Sequence, residues 1–122
     1  MDVKNKRVVV TGAASGIGKA LCEAFHVADA QSIVAVDMNL DGAQETADSV
    51  NGIAVQANVG NEKDIINVIQ QADEHAGGTD IFCSNAGIGG VPGFFEVKAS
   101  DWQNIWDVNV QSHIFAAKHV LP

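Results

Sequence analysis

Four short valine- and isoleucine-rich runs, separated by stretches with helical spacing, constrain this chain more than any other feature. The runs are Arg7 to Thr11, Ser32 to Asp37, Ile53 to Ala57 and Asp80 to Ser84. They are apolar nearly throughout rather than at alternate positions, the pattern of strands covered on both faces in a parallel sheet. Between the first two, Ile17, Ala20, Leu21, Ala24, Phe25 and Ala28 recur at helical spacing and predict a helix with one apolar stripe. A second helix is predicted over Asp41 to Val50, stopped by Asn51-Gly52. A third starts after Asn61 as N-cap, carries Ile65, Val68, Ile69 and Ala72 on one side, and breaks at Gly77-Gly78. Strands and helices alternating with short connections imply an α/β fold, a doubly wound parallel sheet with helices on both faces. The 122 residues make one domain, 1–122, and a chain of that size buries roughly two-thirds of its unfolded surface.

The last helix opens on Ser100-Asp101-Trp102-Gln103, read as a capping box, and runs to about Val120. Trp106, Val110, Ile114, Ala117 and Leu121 make one side of it; Ile105, Val108 and Phe115 make a neighbouring side. So wide an apolar arc serves either burial in a larger domain or a subunit interface. Trp102 and Trp106 are expected to pack, and Asp101 and Asp107 to serve capping and solvation. The longest connection, Gly87 to Ala99, holds Gly89, Gly90, Pro92 and Gly93 around Phe94 and Phe95, a candidate mobile segment beside a binding site.

Composition narrows the function classes. With 47% hydrophobic and 18% charged residues the chain is neither disordered nor membrane-spanning, and Val8-Val9-Val10 is far below the ~20 apolar residues a bilayer needs. Those three valines after Lys4, Lys6 and Arg7 make no signal-peptide core, and Cys22 and Cys83 imply no disulfide framework, so the cytoplasm is the expected compartment. A net charge of −8 argues against nucleic-acid partners, though backbone N–H groups bind small anions whatever the net charge. His26, His75, His113 and His119 lack metal-site spacing and are expected at or near the surface; no metal is expected.

The chemistry-bearing signal is Thr11-Gly12-Ala13-Ala14-Ser15-Gly16-Ile17-Gly18, where the first strand turns into the first helix. Gly12 permits the tight turn, Gly16 lets backbone approach a pyrophosphate, and Gly18 lets helix and strand pack closely. The first helical turn then offers N–H groups and partial positive charge to phosphate. Asp37 ends the second strand, 19 residues beyond Gly18, close to the ~20 expected for an acid that binds ribose hydroxyls. It would repel a 2′-phosphate, and neither Met38, Asn39 nor Ser15 offers a cation, so NAD is expected over NADP.

These residues, with Ser84-Asn85-Ala86-Gly87 after the fourth strand and Asp107-Val108-Asn109-Val110 in the last helix, resemble the short-chain dehydrogenase/reductase family over essentially the whole chain. The three-residue gap between Gly12 and Gly16 is similar to its single-domain branch. The resemblance implies a Rossmann fold, here about four strands in the order 3-2-1-4, and an NAD-dependent oxidoreductase interconverting a secondary alcohol and a ketone. It implies that Gly12, Ser15, Gly16, Ile17 and Gly18 line the pyrophosphate and nicotinamide side. Asp37 would hold the adenosine ribose, Asn58 and Val59 would meet the adenine, and Asn85, Ala86 and Gly87 would border the nicotinamide ribose, with Ile88 following. Asn109 matches the asparagine of the family's catalytic set, which helps hold a water in the proton relay. The family's dimers and tetramers imply a homo-oligomer through the last helix.

Three departures qualify the match. Asn58 stands where the family usually has Asp, and Ser84 where it often has Asn. The family's catalytic Ser and Tyr-x-x-x-Lys are absent, and the chain contains no tyrosine. It is thus expected to be the N-terminal, cofactor-binding portion of such an enzyme, inactive alone, with Ile81 to Ser84 an unpaired sheet edge. A non-catalytic NAD-binding module is the alternative. An S-adenosylmethionine methyltransferase is disfavoured, since its glycine loop runs G-x-G-x-G and no Asn-Ala-Gly follows its fourth strand.

Overall fold

The computed structural model describes residues 1–90 and 92–122; Val91, inside the predicted 87–99 loop, lies outside the described residues. Strand β1 (Arg7–Thr11) takes the centre of the sheet because its three consecutive valines need cover on both sides. Val8 and Val10 join the core on one face and Val9 the core on the other, as strand alternation requires. Strand β2 (Ser32–Asp37) pairs parallel along one edge of β1, with Val34 opposite Val9. Strand β4 (Ile81–Cys83) pairs parallel along the other, with Phe82 opposite Val9. Strand β3 (Ile53–Gln56) lies outside β2, so the order is β3-β2-β1-β4, as expected. Both outer strands are shorter than predicted. Asp80 and Ser84, which flank β4, direct their side chains to Arg7 and His113 instead.

Helices α1 (Gly16–Val27) and α2 (Leu40–Ser49) cover the Val8/Val10 face, through Cys22 and Ala47 among others. Helix α3 (Glu62–Ala76) covers the opposite face with Val68, Ala72 and Ala76. Asn39 caps α2 by accepting the Gly42 N–H at 3.0 Å, and α2 begins one residue earlier than predicted. Asn61 caps α3 as predicted, accepting the Lys63 N–H, and Gly77 closes it in the left-handed conformation, φ +81°.

Two sequence readings need correction. In α1 the predicted stripe is rotated: Gly18 and Cys22 are buried, Leu21 and Phe25 half-buried, while Ile17, Ala20, Ala24 and Ala28 are exposed. The closest helix–sheet approach selects the smallest residues, not the most apolar. Burial, with Cys83 nearby, pushes the Cys22 thiol up to about 11. The last helix is not continuous. It begins at Ala99, with Lys98 rather than Ser100 as N-cap, and Asp101 accepts the Lys98 N–H at 2.8 Å. After α4 (Ala99–Trp106) comes a π-helical turn (Asp107–Gln111), then α5 (Ser112–Val120). Val108 is buried against Val59 and Ile65, with Phe115 packed beside them. Trp102 and Trp106, expected to pack, are 57% and 52% exposed, and Val110 and Ile114 share that outer side.

Polar ties fix the ends of the sheet. At the start of β1 the Arg7 guanidinium grips both oxygens of Asp80 at 2.8 Å and also donates to the Gly77 carbonyl. Those bonds hold the Asp80 carboxyl well below the usual carboxylate range. Lys118 and His119 meet Glu62 at 2.7 and 2.8 Å, binding α5 to α3 and lowering the Glu62 carboxyl. Among the described residues no helix is long and apolar enough to cross a membrane, and no metal-binding group of His, Cys, Asp or Glu occurs.

Candidate functional site

The glycine turn between β1 and α1 opens at the carboxyl end of the sheet, and its three glycines answer three separate demands. Gly12 has φ +71°, and a Cβ there would lie 3.0 Å from Ala86 Cα and Asn85 Nδ2. A Cβ at Gly18 would stand 2.0 Å from the Gly12 carbonyl oxygen, so the helix could not start where it does. Gly16, at φ +55°, has nothing within 4 Å of the position its Cβ would occupy. The backbone there faces open space. Ser15 makes no side-chain cap bond and α1 has no acid in its first turn, whereas α2 and α3 are each capped by asparagine. The opening of α1 is therefore left for an anion.

Asp37 closes the neighbouring rim. One carboxylate oxygen accepts the Ala14 N–H and the other the Asn39 N–H, each at 3.0 Å, which ties the end of β2 to the glycine turn and sets the carboxylate's orientation. Beyond β3, Asn58 Oδ1 accepts the Gly60 N–H at 3.0 Å, and Asp64 accepts the Asn58 N–H at 2.9 Å.

The fourth wall is the Asn85-Ala86-Gly87 turn after β4. Buried Thr11 anchors it: its hydroxyl oxygen accepts the N–H groups of both Asn85 and Ala86 at 3.0 Å and donates to the Cys83 carbonyl at 3.3 Å. Asn85 returns a bond from Nδ2 to the Thr11 carbonyl at 3.0 Å. Further along, Asn109 sits in the π turn and clasps Ile88, accepting its N–H through Oδ1 and donating to its carbonyl through Nδ2, both at 2.8 Å. π turns recur at functional sites because they re-aim a side chain that an α-helix would point elsewhere.

The structure brings the sequence-predicted residues together, with one exception. Gly12, Asp37, Asn58, Val59, Ala86 and Gly87 line a cavity of about 110 Å³, joined by Met38, Ala57, Ile88 and Val108. Gly12, Ser15, Ile17, Gly18, Asp37, Asn85, Ala86 and Gly87 line a more open groove of about 430 Å³. The shared Gly12, Asp37, Ala86 and Gly87 join the two, and the open side of Gly16 belongs to the same turn. Ile17 lies in this groove rather than in the α1 core face, which accounts for its exposure. Asn109 lines neither space; its amide reaches the site through the Ile88 backbone. Sequence reading assigned no role to Thr11, Ala57, Val108 or Asp64. Only Thr11 left a trace, as the polar end of an apolar strand.

Comparison with known proteins agrees with this arrangement. The sequence profile described as short chain dehydrogenase matches residues 6–122. Glucose 1-dehydrogenase 2 of Bacillus subtilis (strain 168) is 35% identical over 126 residues, covering 98% of this chain and 49% of that protein. A short chain dehydrogenase of Claviceps purpurea (strain 20.1) is 28% identical over 118 residues, 93% of this chain and 45% of that one. The chain thus spans about half the length of these relatives. Crystal structures of a short-chain type dehydrogenase/reductase from Mycobacterium marinum and of a short-chain dehydrogenase/reductase (glucose/ribitol dehydrogenase) from Brucella melitensis superpose with TM-scores of 0.89 and 0.90, each at 28% identity. They match 98% and 100% of this chain and 50% and 53% of theirs. A profile match over nearly every residue, on a sheet of the order expected and a glycine turn at the carboxyl end of its central strand, makes this chain a member of the short-chain dehydrogenase family.

Proposed function

We propose that the chain holds NAD along the groove and supplies the cofactor site of an oxidoreductase that interconverts a secondary alcohol and a ketone. Short-chain dehydrogenases use nicotinamide dinucleotides, and the residues here fit one. The observation that carries the reading is the open face of Gly16 at the uncapped start of α1, with the Asp37 carboxylate held at the adjoining rim. A diphosphate needs just such exposed N–H groups and free space. Gly12, Ser15, Gly16, Ile17 and Gly18 would hold the diphosphate and nicotinamide side, and Asp37 the adenosine ribose. Asn58 and Val59 would flank the adenine; Asn85, Ala86 and Gly87 would border the second ribose. When bound, the nicotinamide ring accepts or returns hydride. Asn109 shapes the wall by fixing Ile88.

A phosphate at ~4 Å from Asp37 would be repelled by roughly 1–4 kcal/mol per charge, depending on local dielectric. No lysine or arginine lines either space, so nothing offsets that repulsion. NAD is therefore the preferred form. Calorimetric titration of the intact protein is expected to show NAD binding about tenfold or more tighter than NADP, and Asp37→Arg to narrow or reverse that ratio. Equal or tighter NADP binding by the wild type, or no dinucleotide binding, overturns the reading.

Proton transfer needs a group at the developing alkoxide. The 122 residues contain no tyrosine, so the phenol implied by the family resemblance is not among them. The same observation favours a second reading, a non-catalytic NAD-binding module. In either case the 122 residues, one cofactor-binding domain, are expected to bind cofactor without turnover. Assaying the intact protein separates the two, with glucose, after the Bacillus relative's name, as the first substrate. The proposed setting is cytoplasmic, with a homo-oligomer formed through the last helix.

A further inference from the structure

We propose that Asp64, rather than Asn58, reads the base at the adenine end of the cleft, its free carboxylate oxygen accepting a hydrogen bond from the exocyclic amino group. The inference rests on the dinucleotide reading above and extends it to a residue that the sequence did not single out. Asn58 stands where a base acceptor is expected, yet its oxygen is turned back onto the Gly60 N–H at 3.0 Å. That donor settles which end of the amide is oxygen, since the Nδ2 end could not accept from it. Asp64, in the first turn of α3, uses Oδ2 to accept the Asn58 N–H at 2.9 Å. This bond holds the carboxylate just past the end of β3. Its Oδ1 has no protein partner among the described residues, and the side chain is half-buried, not free in solvent.

Asp64 lines a cavity of about 230 Å³ with Met38, Gln56, Ala57 and Asn58. Three of these, Met38, Ala57 and Asn58, also line the cavity that contains Asp37. The two spaces therefore meet along a common wall whose carboxylates are Asp37 and Asp64. Asp37 already accepts two backbone N–H groups and has ribose hydroxyls to meet. Asp64 is the acceptor left for a donor on the base. A carboxylate accepts and cannot donate, so it favours an amino group and opposes a carbonyl at the same position.

Nicotinamide hypoxanthine dinucleotide, in which a carbonyl replaces the adenine amino group, tests this directly by calorimetry on the intact protein. Wild type is expected to bind NAD about tenfold tighter than the hypoxanthine form. Asp64→Asn keeps an oxygen for the Asn58 N–H and puts an amide donor in place of the free oxygen. It is expected to erase or invert the preference. Asp37→Asn is expected to weaken both dinucleotides alike and leave their ratio intact. An unchanged ratio in Asp64→Asn, with NAD still bound, overturns the role of Asp64 and leaves the cofactor reading standing. No preference in the wild type also overturns it, a result that needs no variant to fold. Failure of the wild type to bind either dinucleotide overturns the cofactor reading and this one with it.

Discussion

A single hydroxyl holds two strands' loops together at the site. Thr11 is buried, and its oxygen is the acceptor for two N–H groups 74 and 75 residues away in the chain. Thr11→Val keeps the shape and removes the acceptor. Leaving partly buried N–H groups unpaired costs about 1–3 kcal/mol each, so the variant is expected to lose about 2 kcal/mol in urea denaturation and to bind NAD more weakly. The three glycines were legible in the sequence because turn, close approach and open backbone are local demands within seven residues. Thr11's partners, like the Asp64–Asn58 tie, depend on which distant segment folds alongside, and no spacing rule reports that. Asp37 sits between these cases: its position was legible, its two backbone bonds were not.

The elements that carry the site are braced at both ends. At the start of β1, Arg7 and Asp80 join the central strand to the edge strand. Asp80's carboxyl is depressed in the folded chain, so the bracing is fully present above its unfolded value of about 4 and is lost as pH falls below that. Thermal unfolding followed from pH 6 downward is expected to show a declining midpoint below about pH 4, and Asp80→Asn is expected to flatten that decline while lowering the midpoint at pH 6. At the other end, the π turn delivers Asn109 to Ile88. Asn109→Ala is expected to cost about 1 kcal/mol and to speed amide hydrogen exchange at Ile88. The α4–α5 interruption escaped the periodicity because an inserted residue only widens the apolar arc. The two neighbouring apolar sides of that helix were its only sign.

At the scale of the whole molecule, strand order and helix placement followed from the alternation of patterns and the family resemblance, because each strand's cover is dictated by its own apolar run. The fate of the tryptophans did not follow. Trp102, Trp106, Val110 and Ile114 stand at intervals of four on the outer side of α4, the π turn and α5, each at least 38% exposed. Contiguous apolar surface of this kind marks an association face. Sedimentation velocity is expected to show concentration-dependent dimerisation, and Trp106→Glu to leave a monomer with its fold and circular dichroism intact. A monomer at every concentration would remove the oligomer from the proposed function.

The π turn also sets which kinds of change this region tolerates. It winds in one residue beyond what an α-helix of the same rise would take, so deleting any one residue between 107 and 111 lets the segment rewind as ordinary helix. Everything after the deletion then rotates by about 100°. Ser112 and Ala116 would swing out of the interior together, and the Glu62 contacts of Lys118 and His119 would be lost. Point substitutions on the outer side of this segment should accumulate freely, while its length should be close to invariant.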